Sequence, residues 1–201
     1  MSNASSGEVA LFPLHTVLFP GGLLPLRVFE PRYMEMATAC LRDDEPFGVC
    51  LIREGKEVGA PAAPHPVGCL ARIVQWDMQQ LGLLNITVRG ERRFRVLARR
   101  VQRDGLARGE FEVLAQEDDE AVPQRSAACA RLLKAIIDEG ASAHVAAPFR
   151  FQSASWVSAR LTELLPLPLA FKQQLLETEG SGRRLDALHE FLREQKLAPA
   201  S

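Results

Sequence analysis

Nowhere does the 201-residue chain run apolar for the roughly 18 positions that a membrane-crossing helix needs. Residues 1–7 are rich in Ser, Asn and Ala and lack the basic region and apolar stretch of an export signal, so Ser2-Asn3-Ala4 is expected to be a loose tail. No C-x-x-C pair occurs among Cys40, Cys50, Cys69 and Cys129. Each sits alone in apolar text, which disfavours a zinc or redox motif and reads as small core residues in a reducing cytoplasm. The phosphate-cradling G-x-x-x-x-G-K-[ST] is missing: Gly55-Lys56 lacks both the earlier glycine and the following hydroxyl. There is no G-x-S-x-G elbow either. The four lysines, Lys56, Lys134, Lys172 and Lys196, fall in loop or exposed helix text, so a buried base that could activate a serine is hard to build. His189-Glu190 has no second histidine at zinc-binding spacing, and His15, His65 and His144 are scattered. No catalytic residue, metal or cofactor is expected. A net charge of -1 also supplies no global field to hold the chain on nucleic acid or an anionic membrane.

What remains is ordinary globular composition, with 47% hydrophobic and 24% charged residues. A chain of this size buries about 70% of its unfolded surface, enough for a core of its own. Residues 9–114 alternate with a period near two and are punctuated by Pro and Gly, which predicts short strands. The clearest is 83–89, with Leu84, Ile86 and Val88 on a dry face; Gly90-Glu91 then reads as a tight turn into a second strand, 92–98, making a hairpin. Strands are also expected at 9–11, 23–28, 47–52, 68–75 and 108–114. Seven short strands suggest a small closed barrel.

One helix interrupts them. Pro31 suits its first position, and Tyr33, Met36, Ala37, Cys40 and Leu41 form its apolar stripe. Residues 53–66 have no apolar period and read as a surface loop. After the acidic run 117–120 the period becomes helical. A stripe of Cys129, Leu132, Leu133, Ile136 and Ile137 ends at Gly140, and Ser155 can cap a second helix that Pro166 stops. Pro168 can open a third helix, and a fourth follows Gly180-Ser181-Gly182. The predicted fold class is therefore α+β, with a β-barrel part at 1–116 and a helical part at 117–201 whose last residues, 198–201, fray.

Four stretches carry a family resemblance. LFPLHTVLFPGGLLPLRVFEPRYMEM (11–36) resembles the opening of the Lon protease N-terminal domain, with its Leu-Pro-Leu strand, Phe-Pro-Gly turn and following helix. PVGCLARIVQW (66–76) is similar to that domain's central strand and GERRFRV (90–96) to its basic hairpin. LTELLPLPLAFKQQLLE (161–177) looks like its Leu-Leu-Pro-Leu helix junction. The resemblance implies a PUA-like barrel followed by a helical bundle, and a stand-alone, non-enzymatic role in binding protein substrates or unfolded polypeptide, without the ATPase and Ser/Lys protease domains of Lon.

Protein binding calls for apolar side chains that the core does not need. The candidates are Trp76, Met78 and Leu81 at strand ends, Phe149 and Phe151 in the interdomain-like linker, and Tyr33 and Met34 on the inserted helix, where they could line a groove between barrel and bundle. The alternative is RNA binding through the arginines between Arg89 and Arg108, chiefly Arg92, Arg93, Arg95, Arg99 and Arg100, because PUA-like barrels in other families bind RNA. Against it, the strand period splits these arginines between faces, Glu91, Asp104 and Glu110 interleave, and Phe94 and Phe111 belong to the core, leaving no stacking platform.

Overall fold

A computed structural model describes residues 6–116, 119–141 and 145–195. The expectations for Ser2-Asn3-Ala4, for residues 198–201, for His144, for Lys196 and for Glu117-Asp118 lie outside these. The chain divides into two compact units, Met1–Ala115 and Gln116–Ser201.

The first unit is one mixed sheet: β1 (Ser6–Leu14), β2 (Leu23–Val28), β3 (Phe47–Glu54), β4 (Ala63–Pro64), β5 (Val67–Gln80), β6 (Leu83–Val101) and β7 (Ala107–Val113). Its order is β1-β7-β6-β5-β3-β4, with β2 on β6. β3 also pairs back, in parallel, onto β1 from Leu11↔Gly48 to Leu14↔Leu51, so the hydrogen bonding returns to its first strand. Alternate residues of β1 feed two separate apolar clusters. Ala10, Phe12 and Leu14 join Phe47, Val49, Cys69 and Ala71, while Val9 and Leu11 join Cys50, Leu70 and Phe94. Burial on both faces explains why these strands read as nearly continuous apolar runs.

Helix α1 (Pro31–Asp43) starts at Pro31, as its fixed φ allows, and buries Tyr33, Met36 and Ala37 in the first cluster. The 19–22 text makes a tight turn in which Gly22 N–H donates to Phe19 C=O at 3.0 Å and Gly21 takes φ 77°, the position that glycine tolerates.

Two expectations are corrected here. Gly90-Glu91 is no turn: β6 runs unbroken through it for 19 residues. Gly90 instead allows a close approach, since its O accepts from Gly21 N–H at 2.7 Å and its N–H donates to Gly22 O at 2.9 Å. The stretch 53–66 is also not wholly loop, because β4 within it pairs with β3.

The second unit holds α2 (Ala127–Asp138), α3 (Ala154–Leu164), α4 (Leu169–Glu177) and α5 (Ser181–Glu194), preceded by a short 3-10 turn, Gln124–Ser126. The stripe on α2 buries Cys129, Leu133 and Ile137, and α3 packs on α2, α4 and α5. Gly140, at φ 121°, follows α2 as expected. The cap of α3 is Ser153, not Ser155: its Oγ accepts from Trp156 N–H at 3.0 Å and donates to Asp119.

Candidate functional site

One exposed apolar feature of the first unit is built by length. β5 and β6 run together beyond the point where β3 stops, from Arg72↔Arg89 to Gln80↔Leu83, and close with Leu81 and Gly82, whose φ is 82°. Opposed residues in a ladder share a sheet face. The row Leu26–Ile86–Trp76 therefore lies on the same face as Leu24–Val88–Ile73, whose members border the first cluster. Ile86 is buried, but Trp76 at the rim is 59% exposed. Bulges at Ile73/Gln75 and Asp77/Gln80 re-aim the strand, and Val74, Met78 and Leu81 are exposed as well, the last at 96%. Trp76 and Met78 thus sit within β5, not at a strand end. Val74 was not singled out from the sequence, although its i, i+2, i+4 spacing with Trp76 and Met78 was the available signal.

The other candidates separate. Phe149, 42% exposed, and the half-buried Phe151 gather with Trp156 in the second unit, with ring centroids 5.4 to 6.1 Å apart, beside an open cleft of about 560 Å³ lined also by Asp119, Glu120 and Ser153. Met34 is half-buried. Tyr33 must be withdrawn as a partner contact: it is 5% exposed and its ring stacks on Phe12 at 4.1 Å, because it lies on the same α1 stripe as Met36 and Ala37.

The arginine cluster does not form one cationic stripe. Arg93 is buried, a second correction to the candidate surface. The bulge between Cys69 and Ala71 sets both Gly90 and Arg93 opposite core residues, so the alternation that would have exposed Arg93 is broken. Arg95 pairs with Glu112 at 3.0 Å, Arg99 donates to Ala62 C=O at 2.7 Å, and Arg100 and Arg108 share Glu8. These two arginines hold the Glu8 carboxyl below the usual range. Arg92 is half-buried. Phe94 is fully buried, so it offers no ring to a base.

Cys50, Cys69 and Cys129 are buried and Cys40 is half-buried. Burial raises the Cys40 thiol and pushes Cys50 and Cys129 up to about 12. At pH 8 these two are expected to react with a thiol reagent only as fast as the fold opens. The neutral thiol is the form the fold holds, so its stabilising contribution is complete below the ordinary value of 9.0 and is lost as pH rises toward 12. Denaturation midpoints measured from pH 8 to 11 should fall in that window, and a flat profile would contradict the burial. Among the described residues no group of three His, Cys, Asp or Glu side chains could hold a metal ion, and no helix is long and apolar enough to cross a membrane.

Residues 8–194 match the family model of the ATP-dependent protease La (LON) substrate-binding domain. The chain belongs to that family. It is similar to the Lon protease of Anaeromyxobacter dehalogenans (27% identity) and to Lon protease 2 of Myxococcus xanthus (28%), in each case over 92% of this chain and 23% of the relative. The chain therefore spans about a quarter of the length of these Lon relatives. Chicken protein cereblon matches at 31% identity over 49% of this chain and 22% of its own. The crystal structure of a Lon N-terminal domain protein from Xanthomonas campestris superposes with a TM-score of 0.77 at 34% identity, covering 92% of this chain and 98% of that one. The N-terminal domain of a Mycobacterium avium complex Lon protease shares the fold, with a TM-score of 0.61 at 20% identity over 94% and 99% of the two chains.

Proposed function

We propose that this Lon-type domain is a non-catalytic module that holds protein substrates in unfolded or extended form, gripping them at the arm formed by β5 and β6. The carrying observation is the exposed apolar set Val74, Trp76, Met78 and Leu81, standing where β5 and β6, with β2 on the far side of β6, run on beyond β3 in a domain whose family is a substrate-binding one. The ring of pairings β1-β7-β6-β5-β3 supports a PUA-like barrel in the first unit, and the contacts of α3 with α2, α4 and α5 support a helical bundle in the second. The free thiols fit a cytoplasmic setting.

Trp76→Ala is the direct test. Trp76 is a large ring at the centre of the apolar set, and truncating such an anchor typically costs about 2 kcal/mol, or roughly 30-fold in affinity. Being mostly exposed, it should move folding stability by only about 0.5 kcal/mol. Fluorescence anisotropy with a permanently unfolded labelled polypeptide checks both halves: unchanged affinity in a stable variant would remove the arm as the binding surface. Incubation with casein and ATP is expected to leave casein whole, and cleavage that a point substitution in this chain abolishes would refute the non-catalytic reading.

A further inference from the structure

Resting on that reading, we propose that the arm binds by strand addition. The outer edge of β5, residues 73–80, takes an extended polypeptide segment as one more β-strand. The preferred segment sets an apolar side chain beside Trp76 and, next to it in sequence, a lysine or arginine beside Asp77.

The backbone comes first. β3 pairs with β5 only from Phe47↔Ala71 to Val49↔Cys69, and Arg72 is tied to Asp44 and Glu91. Beyond Arg72, among the described residues, the only strand that pairs with β5 is β6. With β6 on one side, the other side is a strand edge whose outward N–H and C=O groups have no sheet partner. A folded apolar surface cannot satisfy such groups, whereas another extended chain can.

The side chains then specify the occupant. Residues opposite Trp76 and Asp77 in an added strand continue the rows Leu26–Ile86–Trp76 and Arg27–Asn85–Asp77, which lie on opposite faces of the arm. The next position outward is about 5 Å away. On one face it lies against the exposed indole; on the other it meets Asp77, the single formal charge in residues 73–80 and one without an ion pair among the described residues. Neighbouring residues of a strand point to opposite faces, so an apolar residue followed or preceded by a basic one satisfies both. A second copy of β5 laid antiparallel across a two-fold at Trp76 would set Gln75 against Asp77 and supply no cation. The bulges at Ile73/Gln75 and Asp77/Gln80 leave only a short regular stretch, which suits a weak, reversible grip.

The probes are an eight-residue labelled peptide alternating leucine and lysine, its glutamate counterpart, and the lysine peptide with alternate backbone amides N-methylated on either edge. The lysine peptide should bind more tightly than the glutamate one. Methylation on the edge facing β5 should cost roughly tenfold or more, as two lost hydrogen bonds imply. Asp77→Lys, an exposed change, should reverse the lysine-over-glutamate preference while leaving the denaturation midpoint unchanged. If both N-methylated peptides bind as well as the parent while Trp76→Ala still weakens binding, strand addition is wrong and the apolar-arm reading survives. If Trp76→Ala leaves the binding of unfolded polypeptide unchanged, the apolar-arm reading itself falls. A concentration-dependent dimer in sedimentation that Trp76→Lys disperses would show the edge occupied by a second copy, and would also overturn the proposal.

Discussion

Gly90→Ala is expected to destabilise the first unit by about 3 kcal/mol, at the upper end of what overpacking usually costs. A Cβ on Gly90 would lie 2.2 Å from the carbonyl oxygen of Phe19 and 3.0 Å from Cys69 Sγ. The nearer atom is backbone, and it is pinned, because the Phe19 carbonyl already accepts from Gly22 in the turn that Pro20 and Gly21 shape. Relief requires the turn to lift away, which breaks the Gly21-to-Gly90 and Gly90-to-Gly22 bonds together. Urea denaturation followed by circular dichroism measures the effect, and a midpoint equal to that of the parent would show that the turn yields freely. The same experiment separates the two readings of Gly90-Glu91, since a glycine needed only for a hairpin turn would sit in open solvent.

The second large effect is expected at Phe94, whose ring is fully buried and meets Phe111 edge-on with centroids 5.7 Å apart. Phe94→Ala should cost about 3–5 kcal/mol, the range for a buried ring replaced by a cavity. The ring occupies space that a glycine leaves for it: a Cβ on Gly48 would come within 2.5 Å of Phe94 Cζ. Gly48→Ala alone is therefore expected to destabilise, but in the Phe94→Ala background the added methyl enters vacated space. A double-mutant cycle should show relief of about 1 kcal/mol or more. Gly68→Ala is the control. Its nearest obstacle is the Val49 carbonyl oxygen at 2.4 Å, which stays in place when Phe94 is truncated, so the two penalties should come much closer to adding. Strict additivity at Gly48 would mean that Phe94 does not set the clash.

Much of the local structure was legible. β2 follows from the period-two alternation over 23–28, the start of α1 from Pro31 and the apolar spacing after it, and the stripe on α2 ends at Gly140. The failures share a cause. Gly-Glu is a turn signal over four residues, yet Gly90 answers to Phe19 and Gly22, some seventy positions earlier. Two serines precede the stripe of α3, and Ser153 is selected by Asp119 and by its bridge to Ala121, neither adjacent in sequence. The arginines look like a patch until Glu8 and Glu112 arrive from β1 and β7. Among the surface candidates, Trp76, Met78 and Leu81 could be named from their type, but their exposure depends on β3 ending its pairing with β5 at Ala71. Tyr33 failed for the converse reason, because its own stripe buries it.

Composition and periodicity alone determined the two-part organisation, the type of nearly every element and the absence of the nucleotide, elbow and paired-cysteine motifs, since each depends on residues within a turn or two of one another. The tertiary structure alone decided which glycine is a turn and which a point of contact, which arginines are engaged, and where a strand edge is left open. Those outcomes depend on hydrogen bonds, bulges and close approaches between distant segments, and no local pattern encodes which distant segment will come.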